Sequence, residues 1–193
     1  MKYLPPKFQH HHQPFSARAN PLAAGITSLW HPEATALRIL QRTRHSTADF
    51  DFPVDPAIIA QNLGVKVFAS ELPKSVIVAL VKKVPGEPTI LLNSRYHLNR
   101  QRLACAHALG HYLQVASPTS NADYECIDWH HQTLARTPNP AEIYATNFAA
   151  NLLMPSHEVA LRYQKGMRAA ELAIDFRVPV EAAQIRLQDL FCD

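Results

Sequence analysis

The sequence predicts an α+β fold: a mostly helical domain that carries a small three-stranded sheet and closes with a helix-turn-helix-like pair. Three observations predict it. Apolar residues recur at helical spacing through NRQRLACAHALGHYLQV (99–115) and NPAEIYATNFAANLLMP (139–155). Three short runs rich in Val, Ile and Leu, namely VKVFA (65–69), SVIVALVKK (75–83) and TILLN (89–93), precede both. After Pro155 the helical pattern resumes in short pieces, the last two separated by Val178 and Pro179.

Taken in order, residues 1–30 hold Pro5, Pro6, Pro14, Pro21 and the tract His10, His11, His12 without sustained periodicity, so they are expected to form a flexible arm. The run from Pro32 to about Arg44 predicts a first helix. Asp55 as N-cap, Pro56 at the first helical position and Gly64 just past the end frame a second, over 56–63. The three strands follow, with a turn at Pro85, Gly86 and Glu87 before TILLN. TILLN leads straight into the 99–115 helix. Residues 116–139 turn polar and predict a long loop, with Pro155 stopping the helix beyond it. Ser156 is then placed to cap a helix over HEVALRYQ, and RAAELAIDF and VEAAQIRLQDL form the closing pair.

With 193 residues and 47% apolar content the chain can bury one core, so the expected organisation is an arm over 1–30, one domain over 31–155 and a helical segment over 156–193 packed on it. Nineteen basic residues against sixteen acidic ones give a net charge of +3, too balanced for a protein that coats nucleic acid. In the closing pair Arg186 is answered by Glu181 and Asp189, and Arg168 and Arg177 by Glu171 and Asp175, which favours a packing or partner-docking role over DNA reading. Cys105, Cys126 and Cys192 include no C-x-x-C, fitting reduced thiols in a cytoplasmic protein. No run has the length of a signal peptide or a membrane span, so neither export nor a membrane partner is expected.

The chemistry starts at His107 and His111. Residues four apart on a helix are neighbours, so the two imidazoles can converge on one metal ion without bending the backbone. The hydrolytic motif with this geometry is H-E-x-x-H, in which the Glu takes a proton from the attacking water; here its position holds Ala108. A third ligand is available in Glu142, since two His, one Glu and an open fourth position form a common catalytic zinc arrangement. Glu142 has a second reading: with Asn139 as N-cap and Pro140 at the first helical position, it falls where a capping box is completed. Spacing leaves both open.

The order of DPAIIAQNLGVKV (55–67), TILLNSRYHLNRQRLACAHALGHYL (89–113), EIYATNFAANLLMP (142–155) and AIDFRVPVEAAQIRL (173–187) resembles the ImmA/IrrE family of metallopeptidases, across 53–190. The resemblance implies a zincin-like domain in which His107, His111 and Glu142 match the metal ligands. Ala108 departs from it, because the family has its catalytic Glu there. The implied function is a zinc-dependent endopeptidase that cleaves a helix-turn-helix repressor or antitoxin-like regulator, in stress or mobile-element control, and that is inactive in this chain through Ala108. Ala108 fits both an introduced silencing substitution and a natural pseudoenzyme. The alternative is a non-catalytic module, metal-containing or metal-free, that binds a regulator or DNA. Zinc suits the ligands, and manganese or iron could occupy them. For substrate, Ile90, Leu91 and Leu92 of TILLN are candidates for an edge strand that takes up peptide backbone. Tyr112, Tyr144, His130 and His131 are candidates for polarising its carbonyl.

Overall fold

A computed structural model describes residues 31–43, 52–74, 76–82, 87–115, 124–129 and 140–191. The arm expected over 1–30 lies outside the described residues. Helix α1, Pro32–Thr43, opens on a proline and buries Thr35, Ala36, Ile39 and Leu40 along one face. In α2, Pro56–Asn62, the Asp55 carboxylate accepts a 2.9 Å hydrogen bond from the Ala57 amide, as an N-cap should. The chain leaves α2 through Gly64 at φ 79°, a left-handed turn that a side chain would strain. It then enters β1, Lys66–Ser70.

Strands β2, Val76–Lys82, and β3, Thr89–Asn93, follow, and β3 leads into α3, Leu98–Val115. The three strands expected from sequence are present. A fourth, β4 (Tyr124–Trp129), arises within the polar 116–139 segment that was expected to be a loop. The order is β1-β3-β2-β4, with β1 parallel to β3, and β2 antiparallel to both β3 and β4. YECIDW holds three residue types common in strands, Tyr124, Ile127 and Trp129, and pairs with β2 from Tyr124 to Trp129.

Helix α3 lies against β2 and β3, and its entry is set by Asn93, a fully buried polar side chain. The Asn93 amide donates to the carbonyls of Leu72, Pro73 and Val76 at 3.3, 3.1 and 2.7 Å, and its oxygen accepts from the amides of Leu72 and Arg95. One residue thus ties the β1–β2 connection to the β3–α3 corner. It satisfies backbone groups that would otherwise be costly to bury.

Helix α4, Pro140–Leu153, packs between α1 and α3 and buries Tyr144, Ala145, Phe148, Ala149 and Leu152. Helices α5, Ser156–Gln164, α6, Ala169–Phe176, and α7, Val180–Phe191, complete the chain. Ser156 does not cap α5: it is the first helical residue, behind Pro155, and its hydroxyl donates to Glu33 on α1 at 3.0 Å.

The closing pair grips both central helices. From α3, Asn99 donates to the Val178 carbonyl and Arg102 to that of Arg177, each at 3.1 Å; a second Arg102 nitrogen reaches Val54. From α7, Arg186 donates to the Asn151 side chain at 2.6 Å and to the Met154 carbonyl at 3.1 Å, both on the C-terminal end of α4. The charge pairing expected from sequence is kept in part, with Asp189 still acting on Arg186 and Glu171 on Arg168, but Arg186 is buried against α4 and Asp175 pairs with Arg162, which also pairs with Glu158.

Candidate metal centre

The helical spacing of His107 and His111 puts both imidazoles on one side of α3, and the packing of α4 brings the first-turn Glu142 to meet them. The two rings meet edge to face, their centroids 4.7 Å apart, with the Nε2 atoms 3.0 Å from each other. The Glu142 carboxylate spans the pair, Oε2 lying 3.3 Å from His107 Nε2 and Oε1 3.3 Å from His111 Nε2. Among the described residues these three form the one cluster of three or more His, Cys, Asp or Glu side chains able to share an ion.

The separations test the fit. Zinc bonds of about 2.0–2.2 Å at tetrahedral angles place neighbouring ligand atoms about 3.3 Å apart. The side chains approach on that scale, 3.3 Å from His107 Nε2 to Oε2, 3.3 Å from His111 Nε2 to Oε1 and 3.0 Å between the two Nε2 atoms, each carboxylate oxygen facing one imidazole. Both imidazoles are largely covered, while the Glu142 side chain is 44% exposed, so the cluster meets solvent at its carboxylate. The hydrogen bond from His107 holds the Glu142 carboxyl below its usual range, helped by the charges of both imidazoles and opposed by partial burial. This side chain thus faces the histidines as a carboxylate. Asn139, its partner in the capping-box reading, lies outside the described residues.

Ala108 is 2% exposed and adds only a methyl group to the core beside the ligands. Cys105 is buried in the same helix, and burial pushes its thiol up to about 12.

The substrate candidates fare differently. Ile90, Leu91 and Leu92 sit in β3, which is flanked by β1 and β2 on its two sides. The expected edge strand is a central strand, with no backbone edge left for a peptide. Tyr112 is half-buried, and its hydroxyl reaches the Leu63 carbonyl at 3.4 Å, at the end of α2. Tyr144 stacks on Phe148, and its buried hydroxyl points towards Thr35 of α1 without a full hydrogen bond. Both tyrosines belong to the packing behind the ligands. His130 and His131 lie outside the described residues.

The sequence reading gave no role to Asn93 or Arg102, and took Gly110 only as part of its helix's apolar face. The last had a visible signal, a glycine inside a helix, which lowers helix stability and so calls for a packing reason. A Cβ on Gly110 would lie 2.8 Å from the Ala145 Cα.

The family model for the IrrE N-terminal-like domain, Peptidase_M78, matches residues 60–188, from within α2 to α7 and across all three ligand positions. None of the curated proteins compared matches the chain.

Proposed function

The chain belongs to the IrrE N-terminal-like family of M78 peptidases, and from that premise we propose that it is a zinc-dependent endopeptidase of the ImmA/IrrE type whose turnover is disabled at Ala108. Its target is a helix-turn-helix repressor or antitoxin-like regulator. The observation that supports this reading is the cluster of His107, His111 and Glu142, each offering a ligand atom within 4.8 Å of the others. A bound zinc ion supplies Lewis acidity towards a water and a peptide carbonyl.

The chain's own residues do the rest. His107 and His111 would present ring nitrogens to the ion from one helix, and Glu142 would contribute the negative charge that offsets a dication. Ala108 can neither accept a proton nor pass one to a leaving amine. General acid–base groups are worth about 10²–10⁴ in rate, or about 3–5 kcal/mol of barrier, so this constellation binds without turning over at a useful rate. An extended peptide would pair with β4, an edge strand beside β2, which lies over α3.

A protein partner, rather than DNA, suits the closing helices. Arg186 is the only basic residue of α7, and it is 8% exposed with its nitrogens committed to Asn151 and Met154. A cavity of about 430 Å³ where the start of α3 meets the α6–α7 turn is lined by Ile174, Val178 and Val180, with His97, Arg100 and Glu181 at its polar parts, and Ile174 is 77% exposed. Docking there should depend weakly on salt, whereas phosphate binding would weaken steeply with it.

The test is a quenched fluorescent peptide library incubated with the zinc-loaded chain and with its Ala108→Glu variant. Cleavage by the variant alone, abolished by a chelator, is expected. Cleavage by the parent chain would refute the role given to Ala108, and cleavage by neither would favour a binding module.

A further inference from the structure

The two helices that carry the ligands touch more closely than two ordinary helices can. An ideal Cβ at Gly110 would fall 2.8 Å from the Ala145 Cα, 3.1 Å from its carbonyl oxygen and 3.2 Å from its Cβ. Two of those three atoms are backbone, so no rotamer change relieves the clash. Gly110 lies three residues after His107 and one before His111, and Ala145 lies three after Glu142. Contact and ligands therefore share one seam between α3 and α4, less than a helical turn apart.

We propose that Gly110 is a positioning residue for the metal centre: its missing side chain sets the α3–α4 spacing at which the Glu142 carboxylate reaches both imidazoles. This rests on the zinc reading above. Ordinary carbon contacts begin near 3.4 Å, so a methyl group at 110 requires the helices to part by about 0.6 Å. Metal–ligand bond lengths fall within about 0.2 Å of their standard values, so a parting of about 0.6 Å has to be taken up by the Glu142 side chain or by a weakened bond. The Ala145 Cα lies within 2.8 Å plus one Cα–Cβ bond length of the Gly110 Cα, so the two backbones are near van der Waals contact and α4 has little room to move inwards.

Spacing limited in both directions gives two variants with one readout. Zinc affinity is measured by competition with a chromophoric chelator on the full chain with His10, His11 and His12 replaced by Ala, so that the arm does not compete. His111→Ala in the same background defines non-site binding. Gly110→Ala, which spreads the helices, should bind zinc at least 10-fold more weakly while its circular dichroism stays helical. Glu142→Asp, which shortens the ligand by one methylene on a half-exposed side chain, should lose at least 10-fold as well, since α4 has little room to follow it inwards. Leu172→Ala, a buried truncation in α6, controls for general destabilisation and should keep parental affinity. Parental affinity in Gly110→Ala, or in Glu142→Asp if the former does not fold, would overturn the proposal. Zinc that binds the parent no better than His111→Ala would instead overturn the metal reading itself.

Discussion

Replacing Arg186 with Met tests how the closing helices are held. The guanidinium is buried and makes two charge-assisted hydrogen bonds, to Asn151 at 2.6 Å and to the Met154 carbonyl at 3.1 Å. Such bonds contribute about 1.5–3 kcal/mol each, but burying the charge costs part of that, and burial does lower the Arg186 pKa. Methionine keeps much of the volume and removes the desolvation cost. What remains is two orphaned acceptors, the Asn151 oxygen and the Met154 carbonyl, at about 1–3 kcal/mol apiece. A net loss of about 2–4 kcal/mol is expected, or about 6–12 °C in Tm for a chain of this size. Urea denaturation of the metal-free protein measures it. Asn151→Ala in the same chain removes one orphan, so the double variant should be less damaged than the sum of the singles by about 1 kcal/mol or more. A loss under about 0.5 kcal/mol for Arg186→Met would show that Arg186 does not anchor α7 to α4, and would return it to the solvent-facing role that its place in a helix-turn-helix-like pair suggests.

Asn93→Ala removes five hydrogen bonds from the corner before α3 and should cost about 2–4 kcal/mol by chemical denaturation, with m unchanged. Ala108→Glu places a carboxylate at a covered position, so the metal-free variant should be less stable than the parent by about 1–3 kcal/mol, checked by thermal melts with a chelator present. Cys105, raised from 9.0 to about 12, should resist iodoacetamide at pH 8 in the folded protein and react on unfolding, read by peptide mass mapping. Because its folded pKa is the higher one, its contribution is complete below about pH 9 and is lost as pH rises towards about 12; Cys105→Ala should flatten that alkaline limb.

Local signals in the sequence located most elements. Asp55, Pro56 and Gly64 frame α2 through chemistry that acts within a few residues, and the structure keeps all three roles. The His107–His111 pairing is equally local, since the helix alone brings the side chains together. Glu142 is different, because only the α3–α4 packing decides whether its carboxylate caps a helix or faces two imidazoles. Strand order is also non-local: TILLN reads the same at an edge or in the centre, and β4 takes its edge position by pairing with β2. The tyrosines show a further limit. Tyr112 follows His111 by one residue, and about 100° of helical rotation turns it to the end of α2, away from the ligands. Ser156 has the right residue type for a cap but falls one position too late, behind Pro155.

Metal content per folded chain tests the central claim most directly. Elemental analysis is made on the chain with His10, His11 and His12 replaced by Ala, after zinc loading and gel filtration, beside the same chain carrying His111→Ala. The account predicts about one zinc per chain in the first and none in the second. Equal metal in both, or none in either, would contradict it and leave the three side chains as a hydrogen-bonded cluster between two helices.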